Sequence, residues 1–366
     1  MSRKRIVVKI GSSSLTNDYG ELDEEKMSDH VRAIAALKHA NHEVIVVSSG
    51  AVAAGFRSLG YSSRPVTLKG KQASAAVGQG LLIQSYMEQF SQFNIMPAQI
   101  LLTRGDFSDR QRYQNAFQTI TELLSRGILP IINENDTVVI DELTFGDNDM
   151  LSALVSGFIH ADQLILLTDI NGLYDKNPKT YPDAKKINFL DGISHELLQS
   201  IDESGSKFGT GGMKSKVQAA HTAVSLGVPV FIGLGTGDDK LIHIMNGKGD
   251  GTYVVDRSIE AINTKRQWIA LHSEIDGKIY IDKGAEEAII NNGKSLLPAG
   301  IFKVKGNFAK GDVVEVYGVN GLLGKGEVNC SAEAVRQELE MRDKQLKKGE
   351  VVHSTEVIHR DKWIKI

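Results

Sequence analysis

Compact apolar runs alternate with helix-spaced apolar positions through the first two-thirds of the chain. Residues 6–10, 44–47, 99–102, 128–132, 163–167 and 228–232 are short runs that end near glycine or small polar residues. Each predicts a strand buried on both faces. Between them, Met27, Val31, Ile34 and Leu37 recur at helical spacing, as do Leu151, Leu154, Val155 and Phe158. This alternation predicts an α/β fold: a mostly parallel central sheet between helices, a three-layer α/β/α sandwich. Ligands of such sheets bind beyond the carboxyl ends of the strands, so the loops that follow the strands are where chemistry is sought.

The pattern changes after Asp256. Residues 278–281, 301–304, 313–316 and a glycine-rich 319–326 read as short strands, with Asn292-Gly293 and Asn320-Gly321 as turns. The expected organisation is a first domain over 1–256, a linker over 257–275 and a small β-rich domain over 276–355. Residues 331–348 read as a charged, solvated helix.

Charge narrows the classes. The chain has 42 Lys+Arg against 45 Asp+Glu, a net charge of −3, which excludes binding to nucleic acid through bulk charge and leaves a local basic patch open. Hydrophobic residues at 41% and charged residues at 24% suit a globule with a sizeable core and exclude disorder. The lone Cys330 can form no internal disulfide, which fits a reducing compartment. Only Ile6-Val7-Val8 separates the basic start from Lys9, too short a run for a signal-peptide core, and no apolar stretch is long enough to span a bilayer. A cytoplasmic protein with no membrane partner is expected.

Six segments carry candidate chemistry. The first strand runs into Lys9-Ile10-Gly11-Ser12-Ser13-Ser14, where small residues allow backbone N–H groups close to a ligand and a lysine can meet a phosphate oxygen. An ordinary turn with a solvated lysine fits the same residues. The spacing is neither G-x-G-x-x-G nor the Walker pattern. Ser48-Ser49-Gly50-Ala51 follows the second strand and would lie beside the first loop if the two strands pair. Gly209-Thr210-Gly211-Gly212-Met213-Lys214-Ser215-Lys216 opens an amphipathic helix; its free N–H groups and lysines suit an anion, and a plain surface turn is the alternative. Asn133-Glu134-Asn135-Asp136, after the strand 128–132, and Gly146-Asp147-Asn148-Asp149, at a helix start, suit a small zwitterion, although Asn148 or Asp149 alone would serve as a helix cap. Thr168-Asp169 and the turn through Asn171-Gly172 to Tyr174 fit either a nucleotide cup or an Asx turn. Ten histidines show no H-E-x-x-H and have no cysteine partner, so no transition-metal site is expected.

In this order, VVKIGSSSLT from Val7, SSGAVAAG from Ser48, INENDTV from Ile132, FGDNDMLSAL from Phe145, LLTDINGLYD from Leu166 and GTGGMKSK from Gly209 resemble the amino-acid kinase family. The C-terminal part resembles a PUA domain. The branch that this set of motifs most resembles transfers phosphate from ATP to the side-chain carboxylate of L-glutamate, giving L-glutamyl 5-phosphate on the way to proline. That resemblance implies Lys9, Lys216 and Asp149 as the catalytic group. It implies nucleotide contacts from Lys9, Gly11, Thr168, Asp169, Thr210, Gly211, Gly212, Met213, Lys214, Ser215 and Lys216. It places L-glutamate against Ser49, Gly50, Asn133, Asn135, Asp136 and Asn148. ATP with Mg2+, assembly into a homo-oligomer, and RNA contact through Lys303, Lys305, Lys310 and Lys325 of the PUA-like part are further implications; a solvated lysine face is the alternative to the last. Whether Lys214 or Lys216 meets the transferring phosphoryl group stays open at this level. Rival readings are a kinase of carbamate, N-acetylglutamate or aspartate, and an RNA-binding regulator on a silent kinase fold.

Overall fold

The computed structural model describes residues 2–138, 148–176, 178, 181–193, 211–235, 237–256, 275–319, 321–345 and 356–365. The chain divides into two compact units, one of Met1–Asp106 with Arg112–Ala261, the other of Ile262–Ile366 with Phe107–Gln111.

The first unit has strands β1 Arg5–Ile10, β2 Glu43–Ser48, β3 Pro97–Leu102, β4 Leu129–Glu134, β5 Gln163–Thr168, β6 Leu173–Tyr174, β7 Lys186–Ile187, β8 Phe189–Asp191, β9 Val230–Leu234 and β10 Gly251–Val255. Eight of them form one sheet in the order β3-β4-β2-β1-β5-β9-β10-β8, while β6 and β7 make a separate ribbon. All sheet neighbours run parallel except β10, which lies antiparallel to β9. The expected mostly parallel sheet is therefore present. Its central strand shows why the apolar runs are continuous: Ile6, Val7, Val8 and Ile10 are fully buried because helices cover both faces.

Parallel pairing aligns the strand ends. Ile10 faces Ser48 in the β1–β2 register, and the Ser49 N–H donates to the Ile10 carbonyl at 3.1 Å, so the two small-residue loops are neighbours. β4 continues through Asn133 and Glu134, two residues beyond the apolar run, because both pair with Leu101 and Leu102 of β3. The Glu24–His39 helix buries Met27, Val31, Ile34 and Leu37; the Asp23 carboxylate caps its start, and Lys38 and His39 lie at its negative end. Its His30 is pushed down to about 4 by burial, and Nε2 lies 3.1 Å from the Ser14 carbonyl. A neutral imidazole thus ties the turn after β1 to the helix.

The second unit holds β11 Gly277–Ile281, β12 Ile301–Gly306, β13 Val313–Gly318, β14 Gly321–Val328 and β15 Ile358–Lys365, in the order β12-β11-β13-β14-β15. Ile279, Ile281, Val314, Val316, Val328 and Ile358 fill its core. The sheet runs on past 355, where β15 pairs antiparallel with β14. Arg360, Asp361 and Lys362 make that strand read as polar surface, the composition edge strands use to discourage further pairing. Gly321, at φ 128, pairs with Gly318 as a tight hairpin requires; Asn320 lies outside the described residues. Gly293, at φ 57, belongs to the turn that ends the helix Lys283–Ile290 rather than to a hairpin. The expected helix over 331–348 is described as Ala332–Gln345. Among the described residues no helix is long and apolar enough to cross a membrane.

The helix Ala51–Gly55, which carries the loop after β2, crosses the helix Leu68–Ser91 at two glycines. A Cβ on Gly78 would stand 1.8 Å from the Ala51 carbonyl oxygen, and one on Gly55 would stand 2.1 Å from that of Ser74. Only glycine permits this approach. Gly78→Ala must push the two helices apart, and we expect a loss on the order of 2–4 kcal/mol in denaturant unfolding, whereas Gly80→Ala, with open space around it, should change stability by less than about 1 kcal/mol.

Candidate active site

Three charges from distant parts of the chain meet at the end of β1. Lys9 Nζ lies 2.6 Å from Asp149 Oδ1, and both side chains are essentially inaccessible to solvent. Lys216 Nζ stands 3.0 Å from the other carboxylate oxygen, which also accepts a 2.8 Å hydrogen bond from Ser215 Oγ. Asp149 belongs to the first turn of the helix Asn148–Phe158, and Lys216 to the helix Gly211–Ser225. Lys9 is therefore no solvated lysine. A buried ammonium without a counter-charge is very costly, and one carboxylate here serves two of them. Counted formally, the trio keeps one positive charge, which makes it a receptor for an anion. A Cβ on Gly11 would come 3.4 Å from Lys9 Nζ, so the first loop passes close over the same ammonium.

Beside the charges lies an amide cluster. Asn148 Nδ2 donates toward the Ser48 carbonyl and Ser49 Oγ, both at 3.0 Å, and toward Asn133 Oδ1 at 2.8 Å. Its side chain thus ties the end of β2 to β4 instead of merely capping its helix. Gly50, at φ 116, turns the chain between Ser49 and the helix Ala51–Gly55; a side chain there would be strained by that φ, although Leu22 and Leu82 leave it room.

These groups line one cavity of about 640 Å³. Of the residues expected to meet the amino acid, Ser49, Gly50, Asn133, Asp136 and Asn148 line it. Of those expected to meet the nucleotide, Lys9, Gly11, Thr168, Asp169, Met213 and Lys216 do. Asp149 sits beneath the lysines with no exposed surface. Asn135 stands apart from the lining, its Oδ1 accepting from Thr137 Oγ1 at 2.6 Å within the turn after β4. Lys214 lies on the exposed face of its helix, while Lys216 is buried against Asp149, so geometry favours Lys216 as the ammonium beside the cavity. Gly211 and Gly212 open that helix, and Thr210 lies outside the described residues, as do Gly146 and Asp147. Thr168 Oγ1 donates to Asp169 Oδ1 at 3.1 Å, and Gly172, at φ 115, bends the following turn so tightly against Thr252 that a Cβ would stand 2.7 Å from its hydroxyl.

Burial raises the Asp136 carboxyl above its ordinary range, because the charged form is disfavoured away from water. Such a group seeks a cation. Arg64, Lys71 and Gln72 also line the cavity and carry no motif, while Glu134, inside INENDTV, lines it without an expected contact. Arg64 and Lys71 come from the segment around the start of the helix Leu68–Ser91, and nothing in their spacing distinguishes them from surface cations.

A buried lysine–aspartate–lysine array at the carboxyl edge of a parallel sheet, beside a polar pocket and a glycine-started helix, is an arrangement suited to an anionic group. The chain belongs to the amino acid kinase family, whose model matches residues 4–233, and the PUA domain model matches residues 277–352. Over full length on both sides it is 61% identical to glutamate 5-kinase 1 of Bacillus licheniformis and 59% identical to glutamate 5-kinase 1 of Bacillus subtilis. Among solved structures, carbamate kinase from Giardia lamblia bound to AMP-PNP aligns with a TM-score of 0.50 at 16% identity, covering 70% of this chain and 99% of that one. That likeness concerns the fold alone.

Removing one preorganised charge from such a site costs about 3 kcal/mol, roughly a hundredfold in rate. Lys216→Met is therefore expected to cut turnover about a hundredfold in an ADP-release assay, with Lys214→Met within about threefold of the parent. The opposite ranking would transfer the role to Lys214.

Proposed function

We propose that the protein transfers the γ-phosphoryl group of ATP to the side-chain carboxylate of L-glutamate, forming L-glutamyl 5-phosphate, the first step toward proline. The carrying observation is the Lys9–Asp149–Lys216 array facing the same cavity as Asp136 and Asn148. The acceptor carboxylate, with an ordinary pKa of about 4.3, is already ionised near neutrality, so no general base is required. The barrier is electrostatic, since an anion approaches a polyanion. Lys9 and Lys216 draw the transferring group between them, and the backbone N–H groups of Gly11, Gly211 and Gly212 complete its cradle. A carboxylate oxygen forms the new bond to phosphorus as the bond to ADP breaks. Asp149 orients both lysines throughout.

On the substrate side, Asp136 meets the α-ammonium, and Ser49, Gly50, Asn133 and Asn148 hold the remaining polar atoms, with Asn135 shaping the turn. Thr168, Asp169 and the segment from Thr210 through Met213, Lys214 and Ser215 to Lys216 flank the nucleotide. Mg2+ enters this reading with ATP. The buried carboxylate is already shared by two ammonium groups and a hydroxyl, a donor set that does not fit a resident metal cage. We further propose a cytoplasmic enzyme that associates with its own copies, Val77 and Leu81 being exposed one turn apart on the helix Leu68–Ser91.

Incubation with ATP, hydroxylamine and a panel of L-glutamate, L-aspartate, N-acetylglutamate and carbamate tests the reaction, because an acyl phosphate is trapped as its hydroxamate. Product from glutamate alone is expected; product from another member would reassign the substrate. Asp136→Asn should raise the glutamate KM about tenfold or more with a smaller loss of kcat. The same variant should melt at a higher temperature at pH 7. A carboxyl whose folded pKa is raised opposes folding once ionised, so its cost is absent below the ordinary carboxylate pKa and present above the raised one.

The PUA unit supplies an observation that favours a second, RNA-binding role. On the sheet face away from its core, Tyr280 stacks on Tyr317 with centroids 5.3 Å apart, Phe302 is exposed, and the Lys303 and Lys305 ammonium groups lie over the Tyr280 ring. Stacking rings among lysines suit unpaired bases and phosphates. Single-stranded RNA is expected to bind with an affinity that falls as salt rises, and Tyr280→Ala should weaken it several-fold in a filter assay. Binding of equal strength without Tyr280 and Phe302 would leave only a solvated lysine face.

A further inference from the structure

We infer that Gln79, which stands behind the cavity rather than in it, is a positioning residue that sets amino-acid affinity by fixing the orientation of Asn133. The inference rests on the proposed substrate side of the site. A backbone N–H can only donate, and one such group fixes the orientation of the Asn133 amide. The Glu134 backbone N–H donates to Asn133 Oδ1 at 2.9 Å, so that atom is the oxygen, and the opposite end of the amide is the NH2 group. The same oxygen accepts from Asn148 Nδ2 at 2.8 Å. Asn133 Nδ2 must then find an acceptor, and it donates to Gln79 Oε1 at 2.8 Å. Gln79 in turn gives its own NH2 to Gln99 Oε1 at 3.0 Å. Polarity is thereby specified along the whole relay from β3, through the helix Leu68–Ser91 and β4, to Asn148 in the cavity wall.

Asn148 Nδ2 has two protons and three acceptors within 3.0 Å, so its orientation depends on each of them. If Asn133 rotated, a donor would face a donor, and Asn148 would be left to Ser48 and Ser49 alone. Gln79 is well placed to prevent this. It follows Gly78, the residue locked against the Ala51 carbonyl, so its backbone cannot drift. It also lies two helical turns beyond Gln72, which lines the cavity, and so shares that residue's face of the helix. What matters at position 79 is an acceptor, not bulk.

Three substitutions separate these properties. Gln79→Glu keeps an acceptor, Gln79→Leu removes it, and Gln79→Lys replaces it with a donor. Measured as hydroxamate formation at saturating ATP, Gln79→Leu and Gln79→Lys are expected to raise the glutamate KM about five- to tenfold, with Gln79→Glu and every kcat within about twofold of the parent. Melting temperatures verify folding; should Gln79→Leu fail to fold, the Glu and Lys variants, both long and polar, carry the comparison. Equal KM effects in the Glu and Lys variants, or a loss of kcat at unchanged KM, would overturn the inference. The parent protein's choice among the panel tests the substrate separately. If it selects another amino acid, the same ranking is expected with that one, and a flat ranking there overturns the relay on its own.

Discussion

A carboxylate with no exposed surface, held between two ammonium groups, is the constraint on which the first unit turns. Desolvating three charges is tolerable only if they stay together, so β1, the helix starting at Asn148 and the helix starting at Gly211 must meet at one point. The central position of β1, the burial around it and the close passage of Gly11 all serve that meeting. Because the trio carries a formal excess of one positive charge, its electrostatics stay incomplete until an anion arrives. On the proposed reading, stability and phosphate affinity are therefore expressed by the same three residues.

The neighbouring pocket works on a different principle. Its walls are amides and hydroxyls whose hydrogen bonds fix one another, and Asp136 is a half-buried acid among them. Neutral amides suit a substrate that carries both signs of charge, because they donate to carboxylate and accept from ammonium without repelling either. The lysine array stays beside this pocket, where the proposed reaction changes charge. The division separates affinity from rate: substitutions in the amide cluster should appear mainly in KM, and those in the array mainly in kcat.

Glycine enters the site in two distinct ways. Gly50 supplies a positive φ that redirects the chain from Ser49 into the next helix, while Gly55 and Gly78 allow two helices to touch backbone to backbone. The contact holds the Ser49 loop against the helix that carries Gln72 and Gln79. Some of the 36 glycines therefore stand inside helices, where the absence of a side chain matters more than flexibility.

Much of this was legible in the linear sequence. Apolar runs bounded by small residues marked β1, β2, β4, β5 and β9, since a strand buried on both faces leaves no polar alternation. Glycine-rich helix starts and the Asn- and Asp-bearing loops marked the candidate site. Three things were not legible. Asn133 and Glu134 read as loop because they are polar, yet pairing with β3 keeps them in the sheet. β15 went unmarked because Arg360, Asp361 and Lys362 interrupt its apolar residues, and an edge strand needs apolar residues on one face only. Arg64, Lys71 and the Gln79 relay had no local signature, since their meaning depends on a helix crossing fixed by Gly55 and Gly78. Periodicity records which residues leave water. Only the tertiary structure decides which polar atoms they bring face to face, because hydrogen bonds and ion pairs depend on ångström distances between segments far apart in the chain.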